Sequence, residues 1–170
     1  MHHVAIARQL AHNAQSIRAL LLGVTEDQAR WKPSADDWSM LEVINHLYDE
    51  EREDFRQRIE YLLFRPGEVP APIDPTGWVT ERGYNQRDLA RSLQQFLAER
   101  AHSVAWLHGL NEPAWDTTYN HPSGFSVTAR DFLVNWAAHD LLHLRQLVEL
   151  HYHWHQQQVA PLSLAYAGDW

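Results

Sequence analysis

Two histidines one helical turn apart form a candidate metal-binding pair in this sequence. His139 and His143 stand four positions apart in the run HDLLH. Residues at this spacing project from one face of a helix, so both imidazoles can reach the same divalent ion. The pair continues an apolar stripe through Phe132, Trp136 and Leu147. We therefore expect it to face the interior of a helical bundle, where such folds build metal sites.

The spacing alone is a weak signal, because the chain has twelve histidines and roughly one such pair is expected by chance. His151 and His155 share the spacing near a predicted helix end, and we interpret them, with His153, as an exposed histidine-rich tail. A catalytic zinc ion typically takes three protein ligands and keeps one position open. The pair therefore needs a third ligand from a facing helix, and purely structural packing of the histidines is the alternative.

The composition limits the chemistry further. The chain has 170 residues, no cysteine and a formal net charge of −8. Without cysteine, histidine and carboxylate must hold any metal, and any thiol must come from outside. The acidic balance disfavours nucleic-acid binding. No segment resembles a signal peptide or reaches the roughly 18 apolar residues of a membrane span, so we expect a cytoplasmic protein without membrane contact.

Four helical segments must position these residues. Apolar residues at three- and four-residue spacings predict helices over about 4–22, 39–64, 85–110 and 128–155. Capping boxes are predicted at Ser39 with Glu42 and at Thr128 with Asp131. Segment 65–83 holds four prolines and is expected to be a crossover without helix. With no strand-like alternation, the sequence predicts an all-α four-helix bundle, in one domain over residues 1–170, with a long crossover between the second and third helices.

The acidic run at 49–54, DEERED, is expected to be a solvated face of the second helix.

Motifs spread over nearly the whole chain have the order that is typical of one protein family. They are WKP at 31–33, WS at 38–39, HLYDEER at 46–52, Gly124, Trp136 and HDLLHLRQL at 139–147. This combination resembles the DinB-like (DinB/YfiT) superfamily. The resemblance implies a four-helix bundle that binds a divalent metal through one histidine of the second helix and two of the fourth. Carried over to this sequence, those ligands are His46, His139 and His143.

Further residues are candidates for supporting such a metal. A ligand imidazole usually donates its other ring N–H to a carboxylate or carbonyl oxygen. Asp49 and Glu50, three and four residues after His46, are candidates for this role or for approaching the metal, and exposed charges are the alternative. Asn135, one turn before His139, is a third candidate, with an outward-facing position as its alternative.

Three aromatic residues are candidates for an apolar pocket over the metal. Trp78 and Tyr84 lie in or beside the crossover, and Trp136 lies one turn from His139. Filling of the core is the alternative for all three.

The resemblance implies an activity as well. Its members include metal-dependent S-transferases and isomerases that use low-molecular-weight thiols, and damage-inducible proteins of unknown role. We therefore predict a transferase that joins a small-molecule electrophile to an external low-molecular-weight thiol, because a metal can lower the pKa of a bound thiol. A metal-dependent hydrolase and a non-catalytic metal-binding stress-response protein are the alternatives. Imidazole ligands suit zinc, nickel, copper or iron, and the resemblance makes a homodimer a candidate assembly.

Overall fold

The computed structural model describes residues 3–65, 67–120, 124 and 126–168. Its helices and strands, in chain order, are α1 His3–Leu21, α2 Glu26–Arg30, α3 Met40–Glu50, a π-helical segment Glu51–Phe55, α4 Arg56–Phe64, α5 Pro75–Glu81, α6 Leu89–Gly109, β1 Thr118–Asn120, β2 Ser126–Thr128 and α7 Ala129–Val159. Short 3₁₀ turns lie at Tyr84–Gln86, between α5 and α6, and at Ala165–Ala167, after α7.

The bundle consists of α1, α3 with α4, α6 and α7. Helix α1 packs against α6 and α7, α3 packs against α6, and α4 packs against α7. Two clusters of buried apolar side chains fill the space between them, one around Ile17, Ile44 and Phe96 and the other around Leu10 and Ile59. The predicted four-helix bundle with a crossover between its second and third long helices is confirmed.

The second long helix begins with the predicted capping box. Ser39 Oγ accepts the backbone N–H of Glu42 at 3.1 Å, and Glu42 Oε2 accepts that of Ser39 at 2.8 Å. The helix extends to Phe64, as the periodicity predicted, but the five residues Glu51–Phe55 are π-helical. A π segment changes which side chains face inward, and such segments are frequent at functional sites. Periodicity at 3.6 residues does not predict it.

The crossover differs from the prediction, because it contains helix α5 at Pro75–Glu81. Pro75 stands in the first turn, where its missing N–H costs no hydrogen bond, and Asp74 caps the helix by accepting the backbone N–H of Gly77 at 3.0 Å. Pro75 therefore starts a helix here, whereas the prolines of this segment had been expected to prevent helix formation.

The start of α6 and a short hairpin also differ from the sequence prediction. Helix α6 begins at Leu89 and not at residue 85, because Asp88 caps it. Strands β1 and β2 form an antiparallel hairpin that places Tyr119 opposite Val127, and the sequence analysis predicted no strand. The hairpin leads into α7, which Thr128 and Asp131 cap as predicted. A search of the described helices for a membrane span finds none.

Candidate metal centre

Three histidine side chains converge between α3 and α7. His46 comes from α3, and His139 and His143 come from one face of α7. The Nε2 atom of His139 lies 3.2 Å from that of His46 and 3.1 Å from that of His143. One ligand atom from each residue lies within 4.8 Å of the other two. The structure thus brings together the three residues that the resemblance implied, and His46 is the buried one of the three.

The electrostatic state of these rings suits a metal. Burial, together with the nearby imidazoles, lowers the pKa of His46 to about 2 and that of His139 to about 3. Burial also lowers the pKa of His143. All three rings are therefore neutral at pH 7, and each has a nitrogen lone pair to offer.

The distances suit a metal as well. His139 Nε2 faces two other ring nitrogens, and a single N–H cannot donate along both short contacts at once. A divalent cation between three lone pairs removes this conflict. Nitrogens about 2.0–2.1 Å from a tetrahedral zinc lie about 3.3 Å apart, close to the two short distances in the structure. The donor set therefore fits a divalent ion.

Gln146 orients one of the candidate ligands. Its Oε1 atom lies 2.8 Å from Nδ1 of His143, so Nδ1 carries the proton and Nε2 keeps the lone pair. Nδ1 of His46 is buried and has no hydrogen-bond partner within the described part of the chain. Gln146 belongs to the motif HDLLHLRQL, but the sequence analysis gave it no role.

Two aromatic rings enclose the histidines. The indole of Trp38 stacks parallel to His143 at 6.2 Å and meets His46 edge-on at 4.8 Å. Phe55, in the π segment, lies 5.2 Å from the ring of His139. Trp38 directly precedes the N-cap Ser39, so the capping box that starts α3 also positions it.

The three aromatic pocket candidates are buried in the core. Trp78 packs with Tyr84 in a small apolar cluster. The Tyr84 hydroxyl donates to Asp49 Oδ2 at 2.6 Å. Trp136 stacks on Phe55 and donates its ring N–H to Glu51 Oε2 at 3.0 Å. The rings on the histidines are thus those of Trp38 and Phe55, while the candidate residues stabilise the elements around them.

The two predicted supporting carboxylates, Asp49 and Glu50, differ in their surroundings. Asp49 accepts hydrogen bonds from Tyr84, Arg52 and Arg82. Burial and the neighbouring Asp54 raise the pKa of Glu50 to about 8, and Glu50 Oε1 has no partner among the residues described. The structure does not bring Asn135 to the histidines.

Asn135 is exposed on α7, and its side-chain amide donates to the backbone oxygen of Asp131 at 2.9 Å.

The prediction that the acidic run is a solvated face is wrong. Four of its residues, Asp49, Glu50, Glu51 and Asp54, are at most 9% exposed. The π segment turns part of the run inward, where arginines neutralise it. The charges of the run did not predict this burial, because two of the partner arginines, Arg82 and Arg100, are distant in sequence.

A buried ion network next to the histidines was not predicted. Arg100 of α6 is 2% exposed, and its guanidinium donates to Asp140 at 2.7 and 2.8 Å and to Glu51 at 2.8 Å. It also donates to the backbone oxygen of Leu10 at 2.9 Å, and Asn13 donates to Asp140 at 3.1 Å.

This network connects all four long helices, and its bonds to Asp140 fix the rotation of α7. Because Asp140 directly follows His139, the same bonds help to position that histidine. A sequence signal existed: Arg100 stands four residues after Phe96 and four before Val104 on the apolar face of the third predicted helix.

The histidine-rich tail was partly misinterpreted. His151 of α7 contacts both α1 and α2. Its Nε2 is 2.6 Å from the backbone oxygen of Leu20, and its Nδ1 is 3.2 Å from the side-chain amide nitrogen of Gln28. It is therefore a structural residue. His155 is exposed, as expected.

The comparisons with known proteins agree with this site and fold. The chain is similar to the solved structure of YfiT from Bacillus subtilis, described as a probable metal-dependent hydrolase with an unusual four-helix bundle topology. The TM-score is 0.77 at 18% identity, over 87% of this chain and 85% of that chain, a likeness that shows a shared fold. A search of the curated proteins finds no match. The family model of the DinB superfamily matches residues 9–147, which include all three histidines, and the chain belongs to this superfamily.

Proposed function

We propose that this protein is a metal-dependent enzyme that acts on a small-molecule substrate. The observation that carries the proposal is the convergence of three neutral imidazole nitrogens from His46, His139 and His143. Three protein ligands are typical of catalytic zinc sites, which leave a position for water or substrate. Zinc, nickel and iron all suit imidazole ligands. When bound, such an ion lowers the pKa of water or of a thiol and so supplies a nucleophile at neutral pH.

The residues of the chain contribute position and environment. Gln146 holds His143 in the tautomer that keeps Nε2 free. Trp38 and Phe55 pack against the rings and give the site an apolar edge. Arg100 and Asp140 hold α7 in register against the rest of the bundle, so both of its histidines stay aimed at His46. These contacts preorganise the site before any substrate binds.

Hydrolysis is the reaction we favour, because YfiT, which shares the fold, is described as a probable metal-dependent hydrolase. Transfer to an external low-molecular-weight thiol is the second candidate. The absence of cysteine supports it, since the chain lacks the thiolates that would react most readily with the electrophile it processes.

The test is an activity screen of untagged, zinc-loaded protein. One panel holds chromogenic esters and amides in water, and the other holds small electrophiles with and without added thiol. His143→Ala is the inactive variant, and the exposed His155→Ala is its matched control on the same helix. Hydrolysis that only His143→Ala abolishes supports the favoured reaction, and thiol-dependent conjugation with the same pattern supports the second. Equal rates for the intact protein and His143→Ala in both panels would overturn catalysis and leave a metal-binding protein.

A further inference from the structure

A cavity separate from the three histidines lies beside α3 and the start of α6. Its volume is about 660 Å³, within the range of about 300–1,000 Å³ that is usual for small-molecule sites. Among the described residues, its walls include none of the three histidines. Four arginines line it: Arg52, Arg82, Arg87 and Arg91. Three carboxylates, Asp49, Glu53 and Asp88, line it as well, so the wall carries a small excess of positive charge in a chain whose net charge is −8.

Two of these arginines are already neutralised. Arg82 donates to Asp49 at 2.6 Å and to Glu53 at 2.8 and 3.0 Å, and its guanidinium lies over the ring of Trp78. Arg52 pairs with the same two carboxylates. Both side chains are therefore held in place in the cavity wall, and the carboxylates of Asp49 and Glu53 balance their charges.

Arg87 is held differently, because its partners are neutral. One guanidinium nitrogen donates to Asn45 Oδ1 at 2.8 Å and another to the backbone oxygen of Arg82 at 3.3 Å. The guanidinium also lies 4.8 Å from the ring centre of the buried Tyr84. These contacts fix the side chain and occupy two of its five N–H groups. Arg87 thus offers an immobilised charge with unused donors.

Arg91 stands in the first turn of α6 and is exposed. Within the described ranges, no carboxylate forms an ion pair with Arg91 or with Arg87. Asp88 also lines the cavity, but its carboxylate caps α6 by accepting the backbone N–H of Arg91 at 2.7 Å. Asp88 contributes one negative charge next to the two arginines, so these three side chains together leave one positive charge that the cavity wall does not balance.

A hydroxyl group completes the wall. Ser92 is 2% exposed, and its oxygen accepts the side-chain amide of Asn45 at 3.0 Å, so its own proton is left to donate. Asn45 directly precedes His46, so the cavity and the metal centre share one turn of α3.

We infer that this cavity binds a small carboxylate or phosphate anion through the unused N–H groups of Arg87 and Arg91. The planar guanidinium presents paired donors that match the oxygens of either anion. The hydroxyl of Ser92 supplies a further donor at the wall. The site needs no metal, so it stands apart from the proposed function.

The test is titration calorimetry of the metal-free protein with inorganic phosphate and with citrate, at constant ionic strength. We expect saturable binding of at least one anion. Arg91→Gln and Arg87→Gln should each weaken it about tenfold or more, because bonds to charged groups are lost. The matched control is Arg145→Gln, an exposed helical arginine on α7. Stronger binding of phosphate or of citrate identifies the preferred anion class.

Failure to bind either anion would overturn the inference, and so would an equal loss of affinity in Arg145→Gln. Thermal unfolding of each variant accompanies the titration, because Arg87→Gln also removes contacts to Asn45 and Tyr84. If Arg87→Gln unfolds, the anion affinity of Arg91→Gln alone tests the inference. His143→Ala should keep full anion affinity, so failure of the metal centre and failure of the anion site give separate results.

Discussion

Replacing Arg100 by methionine should destabilise the bundle more than any exposed substitution. The side chain is 2% exposed and forms ion pairs at 2.7 Å with both Glu51 and Asp140, which are themselves buried. Methionine fills a similar volume, but it leaves two carboxylates in the core without a cation. The pKa of Arg100 reflects the same balance: burial disfavours the charge, but both carboxylates outweigh burial and raise the pKa above its ordinary value.

The size of the effect follows from these contacts. Breaking a buried ion pair by removing one partner costs about 3–5 kcal/mol. The backbone oxygen of Leu10 also loses its donor, which adds about 1 kcal/mol or more. Because the losses share one side chain they are not additive, and we expect about 4–5 kcal/mol in total. Whole domains are stable by only about 5–15 kcal/mol, so the variant should be near its unfolding threshold.

Urea denaturation followed by tryptophan fluorescence measures this loss. Arg100→Lys keeps the charge but cannot form the parallel bonds to Asp140, so we expect an intermediate loss. Arg145→Met, at an exposed position, is the control and should change stability by less than about 0.5 kcal/mol. A loss below about 1 kcal/mol for Arg100→Met would refute the view that this network holds the four helices together.

Two further predictions concern the metal-free and metal-bound forms. Because the pKa values of His46 and His139 are lowered in the folded protein, the unfolded chain binds more protons than the folded one below about pH 6.5. Each of these histidines therefore lowers the free energy of unfolding by about 1.4 kcal/mol per pH unit as the pH falls below 6.5. Glu50, whose pKa is raised to about 8, stabilises the fold as pH falls from 8 towards 4.5. Urea titrations of metal-free protein should therefore show greatest stability near pH 6.5, and a flat profile contradicts this. Gln146→Ala should weaken zinc binding about 10–100-fold in a chelator competition while the exposed Gln156→Ala leaves it unchanged, and equal affinities would contradict the orienting role.

Most of the fold could be predicted because helical patterning is local. The apolar stripes set the four long helices, and the caps at Ser39 and Thr128 fixed two starts to within a residue. Helix α5 was missed because Pro75 ends a helix in one context and starts one in another, and only the cap at Asp74 distinguishes them. The hairpin was missed because strands of three residues carry too little alternation to detect.

The candidate site was predictable only in its ligands. His139 and His143 share a helix, so their spacing carried the information, whereas His46 came from the family resemblance. The contacts of Trp38, Gln146 and Arg100 depend on how distant helices pack, which no local pattern encodes. The homodimer suggested by the resemblance stays a prediction.

The proposed three-histidine metal site is tested most simply by elemental analysis of the untagged protein. We expect one divalent ion per chain, lost in His46→Ala, His139→Ala and His143→Ala, and retained in the control His155→Ala. Each variant is checked for folding by circular dichroism, so that loss of metal is not confused with loss of structure. A protein that never takes up metal, or a folded single variant that keeps the full amount of metal, would contradict a three-histidine metal site.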